Sequence, residues 1–549
     1  MNYYSNDYRN TNYNYFFWIG LLAIMLTRAF YFGLTYFHFL DDYNTYGIFN
    51  RRNADIWNDI ILHYGHFTFR PIAFFADAYI TQWFWGSMWL VLLFYTLMHF
   101  ATVYIFYKVL QKSYINFSAF GIIIISLTPI LFEAVYWIGA STRLVPGMFF
   151  SILSVFFLMR HVEICESNYS TKRYLVYFFI FNFLSIGFYE QIVVFNLAFT
   201  LLLILLNFNR FTRGLTFAIF TPIFNTAFIG LFYVILAQYG RVATRGQTIA
   251  FGDFFTHFSQ VSSSIGNMLI NVQHQINING FLRGLTLIQS PFGVAVVVLT
   301  AIFALVVFLA LKRTYLVMED STYNMYIIRL LFGLILTIAP FAPFFMLQNA
   351  FLAPRTVYPA IFGIAIILDT LVTFISSRSK YLQTLKPLAA AIFIVPFFII
   401  YIAEINNFKL LEKIDVHIMD NFLEAFYESG ADDQANILLF NTQYVYADIT
   451  TDIPHRLENI TSSDWALIGK ANAASTTFYF RRMVPVQHER TFPADLMINN
   501  YALFGVDEEF NVFKLQQQRE SLYIYGSDEV FGTISEYGDD NKMFLRTVG

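Results

Sequence analysis

Runs of apolar residues recur along the chain, most of them about 17–25 residues long, enough to cross the hydrocarbon core of a bilayer as a helix. They fall near 14–38, 87–110, 118–137, 145–160, 173–188, 192–208, 214–238, 292–311, 327–347, 357–377 and 386–403. The pattern predicts a polytopic α-helical membrane protein of about eleven transmembrane helices. Two of the intervening stretches are long, 39–86 and 239–290. In the first, Ile48, Phe49, Ile56, Trp57, Ile60, Ile61 and Tyr64 recur at helical spacing, while Arg51, Arg52, Asp55, Asn58 and Asp59 fill the other face. In the second, Phe254, Phe258, Val261, Ile265, Leu269, Val272 and Ile276 form one stripe behind Gly252-Asp253, a pairing suited to an N-cap. Both read as amphipathic helices lying in the membrane interface.

After Ala403 the pattern changes. Residues 404–549 carry frequent charges and no further run long enough to span. A helix is predicted over Asn407–Tyr427 and strands over 436–440, 476–481 and 543–548. The expected division is a transmembrane domain over 1–403 and a small α/β or α+β domain over 404–549.

Composition sharpens the class. Of 549 residues, 57% are hydrophobic, 20% aromatic and 13% charged, with a mean hydropathy of +0.53; soluble domains carry about a quarter charged residues. A net charge of −3 leaves no basic footprint for nucleic acid. The single cysteine, Cys165, excludes an internal disulfide framework and a cysteine-rich metal site. The first apolar run is long enough to span and lacks a small-residue cleavage pattern, so no cleavable signal peptide is expected. Lys108, Lys112, Arg160, Lys172, Arg173, Arg210, Arg213, Lys312, Arg313, Arg378, Lys380 and Lys386 fall on one side of the predicted spans, with Arg9. The positive-inside rule makes that side cytoplasmic. Asp41-Asp42, both long loops and the tail then face outward from a multi-pass plasma-membrane protein.

Asp41-Asp42 directly follows the first apolar run, where ionised groups are costly to keep. Three further motifs follow on the outer face: Phe69-Arg70-Pro71-Ile72-Ala73-Phe74-Phe75, then Glu133-Ala134-Val135-Tyr136-Trp137-Ile138-Gly139-Ala140-Ser141-Thr142-Arg143-Leu144, then Gly187-Phe188-Tyr189-Glu190-Gln191. In this order, over residues 14–210, they resemble GT-C-fold polyprenyl-phosphate-sugar glycosyltransferases, especially protein O-mannosyltransferases and their TMTC-like relatives. His99, inside the second span, resembles a histidine of the same relatives. Pro354-Arg355-Thr356-Val357-Tyr358-Pro359-Ala360 is similar to the Arg-x-x-Tyr-Pro segments of many bacterial members. The chain departs from the pattern at Ile72, where leucine is usual, and at Arg143, separated from Gly139 by three residues instead of following it. It shows no tetratricopeptide repeats or MIR-type modules, which points to a bacterial member.

The resemblance implies inverting transfer of a monosaccharide from a polyprenyl (undecaprenyl) phosphate to a wall polymer, lipid-linked glycan or protein. Such a reaction needs a base to deprotonate the acceptor hydroxyl. Asp41 or Asp42 is the candidate, Asp41 favoured by the resemblance, and each carboxylate raises the pKa of the other. The leaving phosphate needs fixed positive charge, for which a guanidinium fork is suited: Arg70, Arg143 and Arg355 are the candidates. Glu133 and Glu190 would hold those arginines or meet sugar hydroxyls, with Tyr358 and His99 in support. No second histidine or carboxylate lies at ligand spacing on the His99 helix, so no metal site is expected, and no cofactor is indicated. Expected partners are the lipid-linked donor, membrane lipids and the acceptor. The competing readings are a lipid-linked sugar transporter or flippase, which predicts matching halves with charges at mid-membrane, and an oligosaccharide polymerase or ligase.

Overall fold

The computed structural model describes residues 15–47, 70–113, 115–165, 172–210, 214–238, 254–314, 323–347, 350, 352–430, 436–440, 460–475, 480, 482–486, 489–493, 501–506, 510–517, 523–526, 529–537 and 542–547. The amphipathic stretch expected at 48–64 and the Gly252-Asp253 cap lie outside these residues. Among them, five helices are long and apolar enough to cross a membrane: Thr81–Lys112, Ile138–Ile164, Pro291–Lys312, Tyr323–Met346 and Leu382–Glu428. Four shorter apolar helices, Tyr15–Ala29, Glu190–Leu206, Leu215–Leu231 and Ile361–Ser377, lie among them in sequence.

The expected single span at 118–137 is broken. It consists of α4 (Ala119–Leu127), a 3-10 turn at Pro129–Leu131 and α5 (Phe132–Val135), numbered after α1 (Tyr15–Ala29), α2 (Pro71–Tyr79) and α3 (Met88–Lys112). Pro129 is the cause: it crowds the backbone of the residue before it and drives it out of the helical region, and Thr128 sits at φ −53°, ψ 126°. Ending the helix at Leu127 frees the Ser126 carbonyl, which no longer has an amide four residues on. Arg28, in the last turn of α1, donates to it from Nη2 at 2.6 Å and lies 4.1 Å from the centroid of the Tyr401 ring. A freed carbonyl at membrane depth must find such a donor, which accounts for an arginine inside the first apolar run.

The remaining helices are α6 (Ile138–Cys165), α7 (Lys172–Ile186), α8 (Glu190–Leu206), α9 (Leu215–Gln238), α10 (Phe254–Asn267), α11 (Gln273–Leu287), α12 (Pro291–Thr314), α13 (Tyr323–Ile338), α14 (Ile361–Ser377), α15 (Leu385–Ile392), α16 (Ile394–Glu428) and α17 (Asp464–Ala474). The stripe predicted at 254–276 is helical, α10 passing through a π-turn at Met268–Val272 into α11. At one end of the bundle Lys112 pairs with Glu163 at 2.5 Å and Arg210 donates to the Lys112 carbonyl at 3.0 Å, so members of the basic set meet. Two ion pairs join helices: Arg329 of α13 with Asp369 of α14 at 3.0 Å, and Arg283 of α11 with Glu404 of α16 at 3.1 Å.

α16 runs unbroken through 403–404 for 35 residues, and the sheets follow it. β1 (Asn436–Phe440) lies between β2 (Met483–Val486) and β4 (Tyr501–Val506), parallel to both, with β5 (Val512–Lys514) antiparallel on β4. A continuous apolar run, Ile437-Leu438-Leu439-Phe440, buried throughout, suits a central parallel strand. β3 (Glu489–Pro493) joins β6 (Gln516–Gln517), β7 (Tyr523–Gly526), β8 (Glu529–Tyr537) and β9 (Lys542–Thr547) in an antiparallel sheet of order β3-β9-β8-β7-β6. The strand expected at 476–481 falls mostly outside the described residues.

α13 and α14 approach at Gly333 and Gly363, where a Cβ on Gly363 would meet the Thr337 amide nitrogen and the Gly333 carbonyl. Small residues allow such close packing in a membrane, and backbone atoms cannot swing aside. Gly363→Ala is therefore expected to destabilise the bundle by about 1–3 kcal/mol, read as a lower unfolding midpoint in detergent; an unchanged midpoint would refute the close packing.

Candidate active site

The segment after α1 turns sharply at Leu40, whose φ of +37° is rare for a side-chain-bearing residue. The turn is held by Asp42 N–H donating to the Phe39 carbonyl (2.9 Å) and Tyr43 N–H to that of Leu40 (3.2 Å). The Asp42 side chain is fully buried and takes three donors. Tyr36 Oη–H (2.5 Å) and Phe39 N–H (2.9 Å) reach Oδ2, and Gly139 N–H (2.9 Å), in the first turn of α6, reaches Oδ1. Burial pushes its pKa up to about 8; Asp41 adds to the rise and the three donors oppose it. A Cβ on Gly139 would lie 3.1 Å from that of Asp41, so glycine is what lets α6 start this close to the turn. Asp41 is only partly buried, with 32% of its side chain exposed.

Arg143 follows Gly139 by one helical turn, so the three intervening residues return the guanidinium to the same face of α6. It donates from Nη1 to the Gly139 carbonyl. The same Nη1 is 3.8 Å from Asp41 Oδ2, and Nη2 is 3.7 Å from Asp77 Oδ2. Asp77, on α2, is fully buried; its Oδ1 accepts from Tyr46 Oη–H at 2.9 Å, and Tyr46 also reaches Thr142 at 3.4 Å. Burial raises the Asp77 pKa, and Arg143 and Tyr46 pull it back down. The motif reading passed over Asp77, although it is the one acid in an otherwise apolar helix, Pro-Ile-Ala-Phe-Phe-Ala-Asp-Ala-Tyr.

The other two arginines are also clamped. Arg70 gives Nε and Nη2 to the Glu190 carboxylate at 2.9–3.1 Å and packs 4.1 Å from the centroid of the Tyr189 ring. Ile72 N–H donates to the Gly187 carbonyl at 3.1 Å, so the second and fourth motifs dock directly. Arg355 donates from Nη1 (3.1 Å) and from its backbone N–H (3.3 Å) to Glu133 Oε2. Its guanidinium lies 4.8 Å from the Trp137 ring, and the Trp137 indole N–H donates to the Phe39 carbonyl at 3.3 Å. Gln191 donates to the carbonyls of Pro340 and Thr356 at 3.2 and 3.1 Å. The four motifs and the 354–358 segment thus form one connected cluster. His99 and Tyr358 are buried and bond each other, Nδ1 to Oη at 2.8 Å, rather than the aspartates.

The tail closes one side of the turn. His38 Nδ1 and N–H meet Glu412 Oε1 at 2.7 and 2.9 Å, Lys470 Nζ lies 4.1 Å from the centroid of the Tyr43 ring, and Gly469 of α17 packs on Asn44. Among the described residues no group of three or more His, Cys, Asp or Glu is placed to hold a metal ion.

No family model and no curated protein matches the chain. The solved structures that resemble it loosely include two of membrane proteins at under 25% identity. One is the crystal structure of the Archaeoglobus fulgidus oligosaccharyltransferase tethered with an acceptor peptide containing the NVT sequon, at a TM-score of 0.38 and 10% identity over 87% of this chain and 69% of that one. The other is apo ArnT from Cupriavidus metallidurans, at a TM-score of 0.39 and 9% identity over 96% and 97%. Likeness at this level transfers neither residue roles nor activity.

With its folded-state pKa above the ordinary carboxylate value, Asp42 stabilises the fold fully below about pH 4. That contribution is lost as the pH rises through about 8. Asp42→Asn sets an amide N–H2 against groups that are all donors, at a cost of about 1–3 kcal/mol. The variant's unfolding midpoint is expected to lie below the wild type's at pH 5, with the gap narrowing towards pH 9; a gap that widens with pH would contradict the assignment.

Proposed function

We propose that the protein is an inverting membrane glycosyltransferase of GT-C type. It moves a monosaccharide from a polyprenyl (undecaprenyl) phosphate to an extracytoplasmic wall polymer, lipid-linked glycan or protein. The observation that carries the reading is the division of labour between adjacent carboxylates. Asp42 is buried and saturated with donors, whereas Asp41 is partly exposed beside it, with three carboxylate-held arginines in the same connected cluster. The ordered motifs of the sequence support the class, and this geometry is the ground for the roles proposed below.

Asp41 takes the proton of the acceptor hydroxyl as its oxygen attacks the anomeric carbon. The bond from that carbon to the phosphate oxygen breaks, and the polyprenyl phosphate leaves with the electron pair. Arg70 and Arg355 stabilise the charge on the leaving phosphate. Arg70 commits Nε and Nη2 to Glu190, and its Nη1 makes no hydrogen bond among the described residues. Glu190 and Glu133 keep both guanidinium groups in place before the donor arrives, and His99 with Tyr358 backs the Arg355 segment. The active face and residues 404–549 lie outside the plasma membrane, opposite the end where Lys112 and Arg210 meet.

Transfer from a radiolabelled polyprenyl-phosphate sugar by purified protein tests the class. Asp41→Asn is expected to lower it by about 10²–10⁴-fold at an unchanged unfolding midpoint; full activity in that variant would remove Asp41 as the base. Arg70→Ala is expected chiefly to raise the KM for the lipid-linked donor, and an unchanged donor KM would contradict the phosphate role.

A further inference from the structure

The turn that carries Asp41 and Asp42 is held from two sides. One hold is the bond set of Asp42 itself; the other comes from the tail. Glu412, on α16, takes two bonds from one residue of the turn: His38 N–H at 2.9 Å and His38 Nδ1 at 2.7 Å, both on Oε1. With a carboxylate as acceptor, the ring proton sits on Nδ1. Tyr43 Oη–H reaches the His38 carbonyl at 3.3 Å, so both backbone polar groups of His38 are bonded. Phe39 stands edge-on to Phe408, one helical turn before Glu412, with 5.1 Å between ring centroids. Further along, α17 packs on residues 44–47 through small side chains. A Cβ on Gly469 would lie 2.9 Å from the Asn44 nitrogen and Cα, and one on Gly47 would lie 2.6 Å from the Cβ of Ala473. Lys470, between them on α17, covers the Tyr43 ring at 4.1 Å. α17 is itself fastened to the rest of the tail, Asn472 exchanging two bonds with the Phe480 backbone at 3.0 and 2.8 Å.

We infer that Glu412 is a positioning residue: from the tail it fixes the backbone that carries Asp41, which makes α16 and α17 working parts of the site. The inference rests on the glycosyltransferase reading for its purpose but not for its geometry. The three donors to Asp42 anchor the carboxylate next door, not Asp41, whose place is set by the backbone on either side of it. On the near side that backbone is Leu40, at a φ of +37°. A side-chain-bearing residue keeps such a conformation only where its surroundings impose it. Before Leu40 the tail supplies two of those surroundings, Glu412 on His38 and Phe408 on Phe39; after Asp42 it supplies Lys470 on Tyr43 and Gly469 on Asn44. Asp41 thus sits in a short arc of chain whose two ends are both gripped by residues about 370–430 positions later. Displacing a catalytic group by about 1 Å costs about 10²-fold in rate, so a grip of this kind is one that proton transfer would use.

A structural role alone predicts a lower unfolding midpoint and faster exchange throughout, with kcat per folded molecule unchanged. Two measurements on the full-length protein in detergent separate the readings. Hydrogen exchange over residues 36–44 reads the turn directly, and transfer from a radiolabelled polyprenyl-phosphate sugar reads its use. In Glu412→Ala, exchange is expected to quicken in that segment at an unchanged midpoint. The same variant is expected to lose about 10²-fold in kcat with the donor KM unchanged, because the Arg70 and Arg355 clamps do not involve the tail helix. Glu412→Gln is expected to recover most of that loss, since its amide oxygen accepts hydrogen bonds as the carboxylate does. Gly469→Ala pushes α17 off Asn44 and leaves Glu412 untouched. It is expected to move exchange and kcat the same way by less, which carries the test where Glu412→Ala folds poorly. Exchange over 36–44 and kcat that both stay at wild-type values, or a loss confined to the donor KM, overturn the inference. Local quickening of exchange in a protein that transfers no sugar even as wild type upholds the grip of the tail and overturns the glycosyltransferase reading instead.

Discussion

The buried carboxylate of Asp42 is the contact on which the arrangement of the motif cluster depends. It gathers three donors from three places: a ring hydroxyl six residues back, an amide in its own turn, and an amide at the start of a helix almost a hundred residues on. Removing a carboxylate from water at the membrane boundary is costly unless donors replace the water, and a helix start has amide N–H groups with no partner in the helix. Each therefore solves the other's problem. The positive-φ turn at Leu40 and the close approach of Gly139 accompany that bond set.

The second constraint is electrostatic. Each arginine of the cluster is met by acid: Arg70 by Glu190, Arg355 by Glu133, Arg143 by Asp41 and Asp77. Clamped in this way, a guanidinium has little conformational freedom left to lose when an anion arrives, which is the basis of electrostatic preorganisation. The aromatic rings under Arg70 and Arg355 work in the same direction, fixing the plane of the fork as well as its position.

The sequence made the helical bundle legible because length and apolar content identify membrane segments almost regardless of tertiary detail. It made the order of motifs legible too; in the folded chain Glu133 pairs with Arg355 and Glu190 with Arg70. It did not show the break at Thr128-Pro129, because an apolar run reads the same whether or not a proline interrupts its hydrogen bonds. Only the resemblance favoured Asp41 over Asp42; the residues themselves did not separate the two. Their difference lies in Tyr36, Phe39 and Gly139, and only the folded chain sets Gly139 beside the turn. Asp77 went unseen for a related reason: its partners come from helices distant in sequence, and a lone acid in an apolar helix carries no spacing to match.

One more property follows from the length of α16. At 1.5 Å per residue its 35 residues reach about 52 Å, against a hydrocarbon core of about 30 Å. An unbroken rod of that size outreaches the membrane. It contacts the bundle through Arg283 and Glu404, the turn after α1 through Glu412 and His38, and the sheet through Phe422 and Phe426, whose rings pack against Phe504. The three layers of the chain therefore share one continuous backbone element, fixed to each of them by buried or partly buried contacts.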